Sequence, residues 1–154
     1  MDSADLGDPA LAAGMAAGLE RLIGLFRWLS PPSGLGLTAA ATLATLDRGG
    51  PRRLTALAAR EGVTQPAMTQ LVARLQDAGL VDRVADPADG RVVQVRITAE
   101  GRALLARRRA VRAERVAGLL ARLSPDEQAA LAAALPAMDA LVNAQRDDQL
   151  VAQP

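Results

Sequence analysis

Hydrophobic residues recur along most of this chain at the spacing of amphipathic helices. Between residues 64 and 78, Met68, Leu71, Val72 and Leu75 follow an i, i+3, i+4, i+7 pattern, which predicts a helix with one buried face. Three further apolar stripes predict long helices near the two ends of the chain. Their positions are Leu11, Met15, Leu19, Leu22 and Phe26; Leu104, Leu105, Val111, Val116, Leu119 and Leu120; and Leu131, Leu135, Met138, Leu141 and Val142.

The period changes to that of a β-strand after the central helix. Apolar residues at Val93, Val95 and Ile97 alternate with polar ones, as in a strand with one buried face. Residues 86–91 before it hold turn chemistry, because proline fixes φ early and Gly90 is able to take a positive φ. Together with Leu80 and Val81, which follow Gly79, this pattern predicts a two-stranded hairpin.

Capping residues indicate where the helices begin. Thr38 is the expected N-cap of a helix that runs to Arg48, Thr55 of a short helix, and Thr64 of the central helix. Gly62 supplies the permissive backbone of a tight turn between the last two. Helix, glycine-containing turn, helix and hairpin is the order of a winged helix-turn-helix.

Two signals concern the last helix. Residues 124–127, Ser-Pro-Asp-Glu, form a capping box with proline at the first helical position, which predicts a helix start. Pro136 lies inside the stripe that follows, and we expect it to kink or split this helix because it removes a donor.

Composition restricts the chemistry. Half of the residues are hydrophobic, yet Phe26 and Trp28 are the only aromatic residues, so the core must be built from Ala, Leu and Val. The chain has no cysteine and no histidine, which removes thiolate and imidazole metal sites and most nucleophile and general-base arrangements. We expect no cofactor, and an enzyme would have to work with carboxylates and arginines alone.

Positive charge is concentrated in the middle of the chain. Residues 48–98 carry eight Arg against five acidic residues, whereas residues 1–47 carry two against five. All the basic residues are Arg, which suits phosphates and guanine edges, although a GC-rich genome explains this usage equally well. The acidic N-terminus lacks the basic region of a signal peptide. The uncharged run Ser30–Leu46 contains two Pro and two Gly, so no membrane span is expected there, and we expect a soluble, cytoplasmic protein.

The outer face of the central helix is unusual. It carries Gln65, Thr69, Gln70, Ala73 and Arg74, which are short or hydrogen-bonding side chains suited to base edges and phosphates in a major groove. On this helix alone, an amphipathic helix with a polar surface of no special function is the better interpretation.

The ordered set of motifs resembles the MarR family of bacterial winged-helix transcriptional regulators, over most of residues 10–145. The matching segments are Leu37-Thr38, Leu54-Thr55-Ala56-Leu57-Ala58, Thr64-Gln65-Pro66-Ala67-Met68-Thr69, Leu71-Val72-Ala73-Arg74-Leu75, Gly79-Leu80-Val81-Asp82-Arg83, Asp86-Pro87-Ala88-Asp89-Gly90-Arg91 and Ile97-Thr98-Ala99-Glu100-Gly101. The most specific part is the wing signature Asp-x-Arg, which Asp89 and Arg91 occupy.

The resemblance implies a mainly α fold with a small β-hairpin wing, in which N- and C-terminal helices form a homodimer. The implied organisation is a disordered N-terminus (1–9), a dimerisation helix and linker (10–36), a winged helix-turn-helix domain (37–98), C-terminal dimerisation helices (99–147) and a tail (148–154). The terminal stripes are compatible with this, since a lone monomer of this size could not hide them easily.

The resemblance also implies double-stranded DNA as the partner. The recognition helix would place Gln65, Thr69, Gln70 and Arg74 in the major groove, and Arg91, oriented by Asp89, would reach the minor groove. Arg52 and Arg53 are candidate phosphate contacts. A two-fold dimer then needs a pseudo-palindrome with half-sites about 10 base pairs apart.

Some assignments stay open between two roles. Arg74 could contact phosphate or pair with Asp77 along the helix. The run Arg107–Arg109 is expected to be a solvated stretch of helix.

Many family members release DNA when a small aromatic or phenolic anion binds, and Phe26, Arg27 and Trp28 are the candidate lining residues here. The alternative for the two aromatics is a core or interface position. Branches that sense oxidants through cysteine or zinc through histidine are excluded.

We therefore expect a DNA-binding regulator that acts as a repressor. The competing hypothesis is a winged helix used as a protein-interaction module without a DNA role.

Overall fold

The computed structural model describes residues 8–30 and 34–151, with side chains through Ala144. The helices and strands are α1 (Pro9–Leu29), α2 (Leu37–Gly49), β1 (Arg52–Arg53), α3 (Leu54–Arg60), α4 (Gln65–Asp77), β2 (Val81–Ala85), β3 (Val93–Ile97), α5 (Ala99–Leu120) and α6 (Pro125–Val151). The fold is mainly α with a small antiparallel sheet, as the sequence predicts.

Residues 1–7 of the predicted disordered N-terminus and residues 152–154 of the predicted tail lie outside the described residues. Pro9 and residues 148–151 are helical. The Asp8 carboxylate caps α1 by accepting a hydrogen bond from the N–H of Ala10 at 2.9 Å, so the helix begins at Pro9. At the other end α6 continues to Val151, beyond the predicted domain limit at 147.

The sheet has three strands rather than the predicted two, in the order β1-β3-β2. Strand β1 pairs antiparallel with β3, with Arg52 opposite Val95, and β2 pairs with the other edge of β3. The prediction missed β1 because two arginines after a proline show no period. Val93 was expected to face inward but is 48% exposed, since it lies at the far end of β3, beyond the core.

The core lies between α2, α3, α4, α5 and the sheet. It is built mainly from Leu, Val and Ala, as predicted, with Met68 and Ile97 in addition. The fully buried side chains include Leu43, Leu46, Leu57, Met68, Val72, Val95 and Ile97. The amphipathic stripe of α4 is confirmed, and so are the inward positions predicted for α2 and α3.

Of the three threonines that the sequence predicts as helix caps, one caps its helix. Thr64 caps α4 by accepting a hydrogen bond from the N–H of Ala67 at 3.4 Å. Thr38 and Thr55 are not caps, because α2 and α3 each begin one residue before them. The earlier start of α3 allows Leu54 to pack against the core.

Two glycines have the positive φ that the predicted turns need. Gly62 (φ 64°) lies between α3 and α4, and Gly79 (φ 71°) follows α4. Gly90 was expected to take this conformation in the wing but does not. Aspartate side chains order the wing turn instead, as described below.

The start of α5 is fastened to the end of α4. The hydroxyl of Thr98 accepts a hydrogen bond from the N–H of Gly101 at 3.1 Å and donates one to the carbonyl of Gly79 at 2.7 Å. A side chain at Gly101 would overlap the carbonyl oxygen of Leu80 and the side chain of Ile97. Glycine at this position therefore permits α5 to approach the helix-turn-helix this closely.

The capping box of α6 is confirmed. The N–H of Ser124 donates to the Glu127 carboxylate at 2.8 Å, and the N–H of Glu127 donates to the Ser124 hydroxyl at 3.3 Å. Pro136 does not split α6, which is one continuous helix. The carbonyl that loses its donor belongs to Ala132, which is exposed, so water can bind it.

The sequence pattern did not indicate a membrane span in α1. By length and composition alone α1 could cross a membrane: it has 21 residues, with a mean hydropathy of 1.3 over its most apolar window. The core helix of a soluble protein and a signal sequence pass the same test, and none of this window of α1 is buried within the described monomer.

Candidate DNA-binding surface

The outer face of α4 is a continuous polar surface. Gln65, Thr69, Gln70 and Arg74 are all exposed, while Met68 on the opposite side is fully buried. The Thr69 hydroxyl donates a hydrogen bond to the carbonyl of Gln65 at 2.9 Å. Its oxygen can still accept from outside, and the two glutamines present both donors and acceptors. This face can make hydrogen bonds to base edges and phosphates.

Arg74 does not form the ion pair that was one of its two possible roles. No ion pair joins it to Asp77 in the described part of the chain, and its side chain is exposed at the C-terminal end of α4. The guanidinium is thus available to an external anion such as a phosphate.

The wing tip presents a single extended cation. The side chain of Arg91 is 96% exposed. Its Nε lies 3.6 Å from the Asp89 carboxylate, and its backbone N–H donates to the same carboxylate at 3.1 Å. The structure therefore brings the predicted pair together, and Asp89 holds the backbone from which Arg91 projects.

The base of the wing is organised by Asp86, which the sequence identified only as a turn residue. Its carboxylate is buried and accepts hydrogen bonds from the N–H of Ala88 at 2.9 Å, from Gln94 at 2.9 Å and from Arg53 at 3.2 Å. The Ala88 N–H, followed by Arg53, lowers the pKa of Asp86 below its ordinary value, since both favour the ionised form.

The two arginines before α3 differ from the expected pair of free phosphate contacts. Arg53 forms the ion pair with Asp86 and keeps a side chain that is 56% exposed, so it can still face a phosphate. Arg52 is half-buried, and its Nε is buried without a hydrogen-bond partner among the described residues. It contributes less to the exposed surface.

Sequence reasoning missed two contributions to this surface. Asp86 could have been recognised, because an aspartate two residues before a free N–H is the signature of an Asx turn. Arg83 on β2 could not be recognised in this way, because its Nε donates to the Gln76 side chain of α4 at 3.1 Å and this contact depends on how the turn at Gly79 places β2 against α4.

The three candidate ligand residues separate in the structure. Phe26 lines a cleft of about 400 Å³ between α1, α2 and α5, whereas Arg27 and Trp28 are not among its lining residues. Trp28 is 61% exposed, and its carbonyl accepts a hydrogen bond from Arg115 at 2.9 Å. Consecutive residues of an α-helix point about 100° apart, so the three cannot form one wall.

Four arginines that the sequence did not predict line this cleft instead. They are Arg48 of α2 and Arg108, Arg109 and Arg112 of α5. The guanidinium of Arg112 lies 4.4 Å from the centre of the Phe26 ring, a cation–π contact. Arg108 is 4% exposed, which corrects the expectation of a solvated arginine run. The prediction failed because the period of the α5 stripe was assigned from apolar residues alone.

Comparison with known proteins extends these observations. A family model described as the MarR family matches residues 33–92. The uncharacterized HTH-type transcriptional regulator Mb0904 of Mycobacterium bovis is 38% identical over 136 residues, which cover 88% of this chain and 95% of the relative. The HTH-type transcriptional repressor Mb2911 of the same organism is 37% identical over 97 residues, covering 63% of this chain and 70% of that protein.

Solved structures share the fold. That of RV1404 from Mycobacterium tuberculosis matches with a TM-score of 0.77 at 24% identity and covers 89% of this chain and 97% of its own. BpsR of Bordetella bronchiseptica, whose DNA binding is regulated by 6-hydroxynicotinic acid, matches with a TM-score of 0.58 at 22% identity, covering 90% and 96%. With its winged helix-turn-helix and these relatives, the chain belongs to the MarR family of transcriptional regulators, which are DNA-binding proteins and not enzymes.

Proposed function

We propose that this regulator is a homodimeric repressor that binds a pseudo-palindromic operator and is released from it by a small aromatic anion. The recognition helix α4 enters the major groove, and Arg91 inserts into the adjacent minor groove. The observation that carries the DNA-binding role is the wing tip, where Arg91 is 96% exposed and anchored at its backbone by Asp89.

The helix α4 and the wing would contact different grooves of the DNA. Gln65, Gln70 and Thr69 offer donors and acceptors to base edges, whereas Arg74 and Arg53 are exposed cations that would contact phosphates. The narrow minor groove concentrates negative potential, which favours an inserted guanidinium such as that of Arg91.

The homodimer proposal rests on the apolar faces of α1 and α6. A monomer would expose to water a set of large hydrophobic side chains on these helices: Leu11, Met15, Leu19, Leu22, Ile23, Leu131, Leu135, Met138, Leu141 and Val142. Intertwining these helices with those of a second copy would bury them, and would also account for the membrane-like hydropathy of α1. A protein that then acts on chromosomal DNA works in the cytoplasm.

Repression and ligand release are supported by the relatives and by the arginine-lined cleft. A dimer that occupies an operator blocks access to it, and the 37%-identical relative is a repressor by name. BpsR responds to an aromatic carboxylic acid. The cleft that contains Phe26 and Arg112 offers an apolar wall with cations beside it, which fits an aromatic anion.

The test is DNA binding by an Arg91→Ala variant. We expect this variant to lose about 1–3 kcal/mol of binding free energy to a DNA fragment carrying the inverted repeat nearest the gene, because one groove contact is removed. Fluorescence anisotropy at physiological salt measures it. Arg107→Ala is the control, since it removes an exposed arginine of α5 that lies away from the wing.

Two results separate the DNA role from the protein-interaction alternative. Replacing Gln70 with Ala should relax sequence preference more than it lowers total affinity. If Arg91→Ala and Arg107→Ala bind the fragment as tightly as the unmodified protein, the wing has no DNA contact and the interaction-module hypothesis gains support.

A further inference from the structure

We infer that the cleft between α1, α2 and α5 selects a compact apolar molecule that carries two negative charges, rather than a singly charged one. This inference rests on the small-molecule response proposed above and specifies the chemical class of the effector.

The first step is the charge of the cleft walls. Four arginines line the cleft, and none of its lining residues is acidic. Asp47 lies nearby, with its carboxylate 3.4 Å from Arg109 and 3.6 Å from Arg102. Arg48 and Arg112 have no ion pair in the described part of the chain. Two uncompensated cations from different helices therefore flank one space.

The second step is the cost of this arrangement without a ligand. Arg108 and Arg112 are four residues apart on α5, so like charges face each other along the helix. Burial, and then the charge of Arg112, lowers the pKa of Arg108 below its ordinary value. The Nε of Arg112 is buried without a hydrogen-bond partner among the described residues. An anion in the cleft would offset this repulsion and give that donor an acceptor.

The third step is the shape of the ligand. The floor of the cleft is apolar, formed by Leu37, Ala40, Ala41, Ala44 and Leu105, with the Phe26 ring beside it. A volume of about 400 Å³ holds a small ring compound. One carboxylate supplies one negative charge, whereas Arg112 and Arg48 together carry two positive charges. A second negative charge on the same small body compensates the other.

The experiment compares ligands that share one ring. Isothermal titration calorimetry of the full-length protein, at fixed ionic strength and without DNA, measures the affinities of benzoate, phthalate and terephthalate. The two dicarboxylates place their charges at short and long separation. We expect at least one of them to bind about tenfold or more tightly than benzoate, because a second charge-assisted hydrogen bond forms. Succinate tests the apolar requirement and should bind more weakly than that dicarboxylate.

Matched variants test which arginines bind the second negative charge of the ligand. Arg112→Gln and Arg48→Gln should each lower the affinity for the preferred dicarboxylate about tenfold and reduce its advantage over benzoate. Arg107→Gln, which removes a neighbouring exposed arginine outside the cleft, should leave both affinities unchanged. Equal binding of benzoate and both dicarboxylates, or equal effects of the Arg112 and Arg107 substitutions, would overturn the inference.

The outcome is distinguishable from failure of the proposed regulatory function. If the protein binds the operator but prefers no dicarboxylate, the inference fails and the DNA-binding role stands. If a dicarboxylate binds as expected but no operator complex forms, or the complex forms and the ligand does not release it, the cleft is correctly assigned and the regulatory function is wrong.

Discussion

At the scale of single residues, Asp86 has more partners than any other wing side chain described above. It binds β1 through Arg53, β3 through Gln94, and the turn between β2 and β3 through the N–H of Ala88. These bonds fix the loop from which Arg91 projects. Asp86 is therefore a positioning residue, which acts on DNA through the order of the wing.

Replacing Asp86 with alanine should lower operator affinity about three- to tenfold, less than loss of Arg91 itself, because the wing arginine remains but must be ordered on binding. Anisotropy measures the affinity, and amide hydrogen exchange over residues 86–92 measures loop order. Asp82→Ala is the control, since it breaks an exposed pair with Arg96 of similar length, 3.4 Å. Equal behaviour of the two variants in both measurements would remove the positioning role.

The same carboxylate gives a pH dependence of defined sign. The folded pKa of Asp86 is lowered relative to the unfolded chain, so its contribution is complete above the ordinary aspartate range and is lost as the pH falls through the depressed value. Wing order should thus be constant between pH 5 and pH 8, by roughly the reference pKa values of carboxylates. Hydrogen exchange of the wing amides over that range tests this expectation.

How far the sequence predicts single residues depends on whether the signal is local. The Asp89–Arg91 pair was predictable because the two residues lie in one turn, and so was Thr64 as a cap. Arg53, the ion-pair partner of Asp86, lies 33 positions away in the sequence. The guanidinium of Arg112 on α5 contacts the ring of Phe26 on α1. Contacts of this kind depend on tertiary packing, which the spacing of apolar residues along the sequence does not predict.

At the scale of elements, the start of the recognition helix depends on one side chain. Thr64 satisfies an N–H of the first turn of α4, while Thr55, also expected to cap a helix, lies inside α3 with its side chain exposed. The two threonines offer a direct comparison of a cap with a position in the first turn that makes no capping hydrogen bond.

Thr64→Ala should lower the free energy of unfolding by about 0.5–1 kcal/mol, the lower part of the range for lost caps, since its hydrogen bond is long at 3.4 Å. Thr55→Ala should be neutral or slightly stabilising, because alanine has the higher helix propensity. Urea unfolding monitored by circular dichroism measures both. A larger loss for Thr55→Ala would mean that the helix boundaries of α3 are wrong.

The elements were predictable where a period extends over several turns and less so where it does not. The helices α1, α4, α5 and α6 and the strand β3 follow from their apolar patterns. The strand β1 has two residues and exists because β3 offers a free edge to Arg52 and Arg53. A segment of this length has no period of its own, so its structure is set by its neighbour.

At the scale of the whole molecule, the proposed homodimer depends on the apolar faces of the terminal helices. Leu135 on α6 is 60% exposed and Leu19 on α1 is 48% exposed, although both belong to apolar stripes. Such faces are compatible with solubility when a second copy covers them.

Leu135→Glu should weaken the dimer, because a carboxylate at a buried interface must lose its hydration. Light scattering coupled to size-exclusion chromatography at micromolar concentration should show a dimer for the unmodified protein and an increased monomer fraction for the variant. Val93→Glu, at the exposed end of the wing strand, introduces the same charge and should remain dimeric. A monomeric unmodified protein would contradict both the architecture and the palindromic operator that follows from it.

The hydrogen bond from the Thr98 hydroxyl to the Gly79 carbonyl couples the start of α5 to the end of α4. Gly101 allows the first turn of α5 to pack directly against Leu80. A change in the angle of α5 would therefore be transmitted to α4. In the proposed dimer the far end of α5 meets the partner while its near end carries the recognition helix. The reach between the two recognition helices is then set by the angle of α5, and a ligand wedged between α2 and α5 would change the half-site spacing that the protein can span.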